Sequence, residues 1–418
     1  MKNAVTCPRH GLFALLLLLL CAGQARAQRS PLHLSEDYSL DSLGRGELRF
    51  RLRNVDFFHD NEYEGHLADG YTLPGVRLRP TVSYQPLANL KIDLGVYLLH
   101  FWGADRYPNV CYSDMPQWQG DSHTGGFHAL PFLRAQLLLS RGLNIVFGSI
   151  YGSVCHRLIE PLYNPELALS GDPESGLQIL WENRWLWADT WVNWESFIFD
   201  GDYHQESFTY GLSLRLKANR EGTSTHVYFP VQFLAQHEGG EINSEASDRT
   251  VKTWTNAAAG VGLVLNTGGK LIPQVTLEGM AATYRQQSGE AFPLDDGYGF
   301  YARASMDVGP VNVGVGYWWC HDFISIHGNP HYGSVSMSDE SYVVDYTRML
   351  RLHAHYAKPL ARGMSFGVSV DAFASMPTKA YTPDTGWQHE SSHISLSFGA
   401  YLYIDTGFLI KKFRSSAR

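Results

Sequence analysis

Residues 46–53 read Gly46-Glu47-Leu48-Arg49-Phe50-Arg51-Leu52-Arg53, three arginines interleaved with three apolar side chains. On a helix Leu48 and Leu52 would share a face, but Phe50 would fall about 200° away among the charges. On a strand Arg49, Arg51 and Arg53 form one row and Leu48, Phe50 and Leu52 the other. The stretch is therefore a strand, and its environment must tolerate grease on one side and three guanidinium groups on the other.

The same period-2 pattern runs along the chain. Val76, Leu78, Pro80, Val82 and Tyr84 oppose Arg77, Arg79, Thr81 and Ser83; Ile92, Leu94, Val96 and Leu98 oppose Lys91, Asp93 and Tyr97. Leu212, Leu214 and Leu216 oppose Ser213, Arg215 and Lys217, and the last clear strand alternates Ile394, Leu396, Phe398, Ala400, Leu402 and Ile404 with polar or small residues. The rule yields about 16 strands of roughly 9 to 11 residues, weakest at 143–152 and 254–265. Short turns at 86–89, 141–142, 183–184, 219–222, 266–270, 308–309 and 358–363 alternate with long loops at 58–73, 102–126, 153–175, 196–208, 237–253, 286–297, 320–344 and 374–391.

The first residues carry Lys2 and Arg9, an apolar run and Ala25-Arg26-Ala27, which predicts a signal peptide over 1–27 and a mature chain, 28–418, forming one barrel domain. Losing Lys2, Arg9 and Arg26 takes the formal charge from −8 to −11, which with export argues against a nucleic-acid partner. Cys111, Cys155 and Cys320 are too few for a disulfide framework; one Cys111–Cys155 bridge is allowed, but the sequence does not establish it.

A β-sandwich also alternates apolar and polar positions, but it seldom keeps hairpin order over so long a chain. An antiparallel transmembrane β-barrel does, with short periplasmic turns, long extracellular loops and apolar-out, polar-in strands. In this organisation the chain resembles the porin-like outer-membrane proteins of Gram-negative bacteria. The resemblance implies residence in the outer membrane among lipid and lipopolysaccharide, passive diffusion of small polar solutes, and homotrimers.

An arginine facing lipid at mid-bilayer costs about 2 to 4 kcal/mol, so the basic row is expected inside. Arg49, Arg51, Arg53, Arg77, Arg79, Lys91 and Asp93 are the predicted pore-lining residues, with acids of 289–296 as the opposing wall. If the lumen is instead plugged, the arginines pair with acids and line no pore. Trp185, Trp187, Asp189, Trp191 and Asn193 share one face of a tryptophan-rich strand and could stack sugar rings and bond their hydroxyls; a shift of one residue would make them an interfacial girdle.

Other clusters carry less. Cys320, His321, Asp322, His327 and His331 have ligand chemistry without a metal-site spacing, so neither a metal nor any cofactor is expected. His393 and Ser395 form a His-x-Ser pair loosely similar to outer-membrane phospholipases. These features lead to a non-catalytic channel, possible carbohydrate passage being the leading specificity. A closed adhesive barrel and a lipid-modifying hydrolase are the alternatives.

Overall fold

A computed structural model describes residues 36–102, 127–196, 205–239 and 250–413. The predicted signal peptide and Cys111 lie outside the described residues. Sixteen strands form a closed antiparallel barrel: β1 (Glu47–Glu62), β2 (Tyr71–Leu87), β3 (Leu90–Phe101), β4 (Phe127–Ser140), β5 (Leu143–Ser149), β6 (Ser175–Glu182), β7 (Leu186–Ser196), β8 (Glu206–Lys217), β9 (Thr225–Gly239), β10 (Lys252–Asn266), β11 (Gln274–Ser288), β12 (Asp296–Val308), β13 (Val311–His321), β15 (Tyr346–Ala361), β16 (Met364–Ser375) and β19 (His393–Lys412). The small strands β14 (Val343–Val344), β17 (Thr378–Thr382) and β18 (Gly386–Glu390) make a separate three-stranded sheet among the long loops. Closure joins β1 to β19, pairing His59 with Gly399 and Asn61 with Ser397.

The alternation does what the sequence requires. Leu94, Leu133, Phe147, Leu177, Phe229, Leu277, Phe300, Leu352 and Leu396 are all exposed on the outer face. So much contiguous apolar surface belongs in lipid, and a closed barrel leaves no unpaired strand edge there. The short turns rest on local geometry: Gly142 joins β4 to β5 at φ +83°, and a Cβ there would lie 2.1 Å from Glu182 O. Most strands are longer than expected, β5 and β6 being shorter. β1 runs on to Glu62, so the first long loop shrinks to 63–70.

Sequence patterning did not show what fills the barrel. Residues 150–174, between β5 and β6, and 322–342, after β13, carry side chains buried in the lumen. Ile159, Leu162, Phe323, Ile324 and Ile326 pack with wall residues Trp191, Leu234, Trp254 and Trp318. Each such aliphatic side chain contributes about 1.5 to 3 kcal/mol.

Irregular backbone inside a barrel needs partners for its amides, and wall side chains supply them. Gln178 of β6 accepts Tyr151 N–H at 2.8 Å and donates to Tyr151 O at 3.0 Å. Gln232 of β9 serves Ile159 N–H and Arg157 O, and Asn256 of β10 serves Ile326 N–H and Ile324 O. A primary amide presents the same donor and acceptor as a peptide group, so three lumenal amides stand in for strand neighbours.

His156 fastens the first segment to the wall. Its Nδ1 lies 2.8 Å from Asp189 of β7, its Nε2 lies 2.9 Å from Glu174, and its ring stacks on Trp191 with centroids 3.5 Å apart. Burial opposes its charge, but the facing carboxylates of Glu174 and Asp189 win and push the imidazole up to about 9. Because the folded value exceeds the ordinary one, the contribution is complete below about pH 6.5 and is lost as pH rises through 9. The thermal unfolding temperature, read from heat-modifiable gel mobility, should therefore fall between pH 7 and 10 in the parent, and His156→Gln should flatten that slope.

Candidate active site

The basic row faces the lumen, as its strand parity demands, but it is neutralised. Arg53 and Arg79 each place a guanidinium nitrogen 2.5 Å from Glu36, and Arg134 is 2.9 Å from the same carboxylate. Burial would raise the Glu36 carboxyl, yet the three arginines hold it well below its usual range. Arg51 pairs with Asp405 at 2.5 Å and Arg49 with Glu47 at 2.6 Å. Lys91 pairs with Asp93 at 3.2 Å, and Arg77 donates to Ala168 O of the first inserted segment. The opposing acids are thus Glu36 and Asp405, not those of 289–296, because Asp296 sits at the outer start of β12. Pairing with acids in a filled lumen is the arrangement found.

The tryptophan strand has the expected facing. Trp187, Asp189, Trp191 and Asn193 point inward and Trp185 lies exposed at the turn, its ring against Arg184. The inner ring faces are occupied: His156 covers Trp191, and the Arg157 guanidinium sits 4.1 Å above Trp187. Asp189 accepts from Gln178 as well as meeting His156, and Asn193 Oδ1 accepts Ser175 N–H.

The ligand-type residues of 320–331 scatter. Cys320 is buried against Tyr332, His321 faces outward beside Asp322, His327 meets Thr209 and Glu195, and His331 packs on Phe373. Cys155 is buried and its Sγ accepts Glu36 N–H at 3.3 Å. His393 and Ser395 do not pair; Ser395 Oγ accepts Glu64 N–H at 3.0 Å.

A different histidine and serine meet at the β1–β19 seam, 338 residues apart in sequence. Ser397 Oγ lies 3.1 Å from His59 Nε2, and His59 Nδ1 lies 2.5 Å from Glu166 Oε2. Glu166 comes from the first inserted segment, just before its single helical turn, Leu167–Ser170. Tyr71 OH donates to Glu166 Oε1 at 2.5 Å and Asn61 Nδ2 to Oε2 at 2.8 Å. Burial raises the Glu166 carboxyl, but His59 and these donors together hold it below its ordinary value, so it stays ionised at neutral pH. Asn61 also accepts the Ser397 hydroxyl through Oδ1.

The ionised Glu166 carboxylate beside Nδ1 favours the tautomer with its proton there, although the two make no aligned hydrogen bond, and Nε2 accepts the serine hydroxyl once that hydroxyl turns from Asn61 Oδ1, its acceptor in this structure. Serine, histidine and an orienting carboxylate in this order are the elements of an activated hydroxyl nucleophile. Ser397, His59 and Glu166 are all nearly inaccessible, and the adjoining pocket measures about 40 Å³, room for a water or two rather than an acyl chain. Asn164 lines that pocket; its Oδ1 accepts Glu166 N–H.

The solved structures to which the chain is similar include the outer-membrane proteins OmpT and OprD, and OccAB4. OmpT of Vibrio cholerae shares 10% identity over 86% of this chain and 99% of its own, with a TM-score of 0.45. OccAB4 of Acinetobacter baumannii shares 8% over 87% and 99% with 0.47, and OprD of Pseudomonas aeruginosa 9% over 91% and 97% with 0.46. No curated protein matches the chain. The model of one family, described as lipid A 3′-O-deacylase-type, matches residues 37–413 and so takes in every barrel strand and both lumenal segments. The chain belongs to the lipid A 3′-O-deacylase-type family.

Proposed function

We propose that this barrel hydrolyses an acyl ester of an outer-membrane lipid, with lipid A as the substrate class. The observation that carries it is the line from Glu166 through His59 to Ser397 at the barrel seam. The family description supports the same reading. In it, His59 Nε2 takes the Ser397 proton as Oγ attacks the ester carbonyl, and the lipid hydroxyl leaves with that proton. Water, deprotonated by the same nitrogen, then releases the acyl chain as a carboxylic acid. Asn164 supplies an amide donor on the pocket wall for the oxyanion.

The closed pocket makes opening part of the cycle. Tyr63, in line with the 63–70 loop, forms one side of the pocket, and its hydroxyl receives a hydrogen bond from Asn329 of the second inserted segment at 3.3 Å. Movement of the 63–70 loop would admit an acyl chain. Outside the wall, Asp60 of β1 accepts from Thr72 of β2 at 2.6 Å and Asp56 accepts from Asn54 at 2.8 Å. Carboxylates on a lipid-facing strand are costly, and here they lie behind His59 where a lipid headgroup would approach.

The test is incubation of folded protein in detergent micelles with purified lipid A, read by mass spectrometry. Loss of one acyl chain with gain of water supports the proposal; unchanged lipid A, with the fold confirmed by gel mobility, overturns it.

The second reading is the porin-like channel, which draws on two polar chambers of about 500 and 350 Å³ that share Ser153 and Tyr163 as a partition. With that partition in place, planar-bilayer recording should show no conductance steps. Steps in the unmodified protein would favour the channel.

A further inference from the structure

The larger chamber, about 500 Å³, opens at the short-turn end of the barrel, where Glu221, Asn266 and Asp307 flank the turns after β8, β10 and β12. Five cationic side chains line it: Arg157, Arg215, Lys217, Arg303 and Arg351, the first from the inserted segment and the rest from the wall. Three are matched. Arg303 pairs with Glu160 and Glu278, Arg351 with Glu160 and Asp371, and Lys217 with Glu182 and Glu221.

Arg157 and Arg215 have no carboxylate within ion-pair distance among the described residues. Each instead lies over an aromatic ring: Arg157 is 4.1 Å from the Trp187 centroid and Arg215 is 5.1 Å from that of Tyr228. A cation–π contact does not consume all five N–H donors of a guanidinium. The Arg215 Nε is buried and has no hydrogen-bond partner. A buried charged donor left unmade is expensive, so an acceptor belongs there. Arg157 also sits at φ +57°, a left-handed conformation that a non-glycine residue adopts at a cost, held by its O accepting from Gln232.

We propose that this chamber is a binding site for a small hydrophilic oxyanion, phosphate or carboxylate, entering from the periplasmic side, with Arg157 and Arg215 as its charged ligands. The chamber is separate from the serine pocket, the Glu160–Arg351 pair lying between them as a wall of both. Amide and hydroxyl side chains, among them Asn266, Gln274 and Ser305, suit a ligand that carries hydroxyl groups besides its charge.

Isothermal titration of the folded, micelle-held chain with inorganic phosphate and, separately, with citrate tests the site. Saturable binding of either anion, weakened about tenfold or more by Arg215→Gln and by Arg157→Gln, is expected, since each change removes a charge-assisted bond. Phosphate alone would assign a phosphate-bearing ligand and citrate alone a carboxylate. Arg215→Lys keeps the charge, guards against loss of folding and should bind between parent and Gln variant. No saturable binding of either anion, or binding that both Gln variants retain in full, overturns the proposal.

Discussion

Ser397→Ala should lower lipid deacylation by at least about a thousandfold while leaving the barrel folded, and His59→Gln should do the same. Ser397 is small and buried, and among the described residues its hydroxyl meets His59 and Asn61, so removing it deletes the reacting atom with little change of volume. The two effects should not add, because nucleophile and base act as one unit. Glu166→Gln should also cost activity, since a neutral amide cannot hold the His59 proton on Nδ1 as an ionised carboxylate does. An acyl-enzyme trapped by rapid acid quench and located by mass spectrometry on the peptide holding Ser397 would establish the covalent step. Full activity in Ser397→Ala with none in His59→Gln would move the attack to a water held by His59. Full activity in both would place the chemistry elsewhere.

The barrel was legible because its signal is repeated and local. Every short turn read from the sequence falls at a hairpin, and the weakest strand readings, at 143–152 and 254–265, became β5 and β10. The basic row was also legible in direction, since lipid forbids Arg51 and Arg53 on the apolar face. Its partner was not: Glu36 precedes the first strand, and only the folded chain brings it to Arg53, Arg79 and Arg134.

The serine proposed as nucleophile was missed for a related reason. His393 and Ser395 are two positions apart in sequence and drew attention, whereas Ser397 meets His59 only through closure of β1 on β19. The inserted segments gave a weaker signal. The stretch containing Leu158, Ile159, Leu162, Leu167 and Leu169, like that containing Phe323, Ile324 and Ile326, is apolar enough for an interior but has neither strand nor helix period. A long loop rich in buried-type side chains is the trace such a plug leaves.

Glu160→Gln should loosen that plug, with a loss of roughly 3 kcal/mol and the appearance of conductance steps absent from the parent. Glu160 is one of the points at which the inserted segment meets the wall electrostatically: Oε1 accepts from Arg351 at 2.8 Å, and Oε2 lies 3.1 Å from Arg303 and accepts from Tyr301 OH at 2.8 Å. Removing one member of a buried ion pair costs about 3 to 5 kcal/mol because the remaining charge stays buried. The lower figure applies here, since Arg303 retains Glu278 and Arg351 retains Asp371. Burial raises the Glu160 carboxyl, but Arg303 and Arg351 overcome it and leave the group far below the usual carboxylate range. Its contribution is therefore complete above the ordinary carboxylate value and is lost only in strong acid, as pH falls through the depressed one. The parent should stay non-conducting and heat-resistant from neutral pH down to the ordinary carboxylate range, while Glu160→Gln should melt lower and conduct even at neutral pH. A variant that melts with the parent would show that apolar packing around Ile159 and Leu162, not this ion cluster, holds the segment in the lumen.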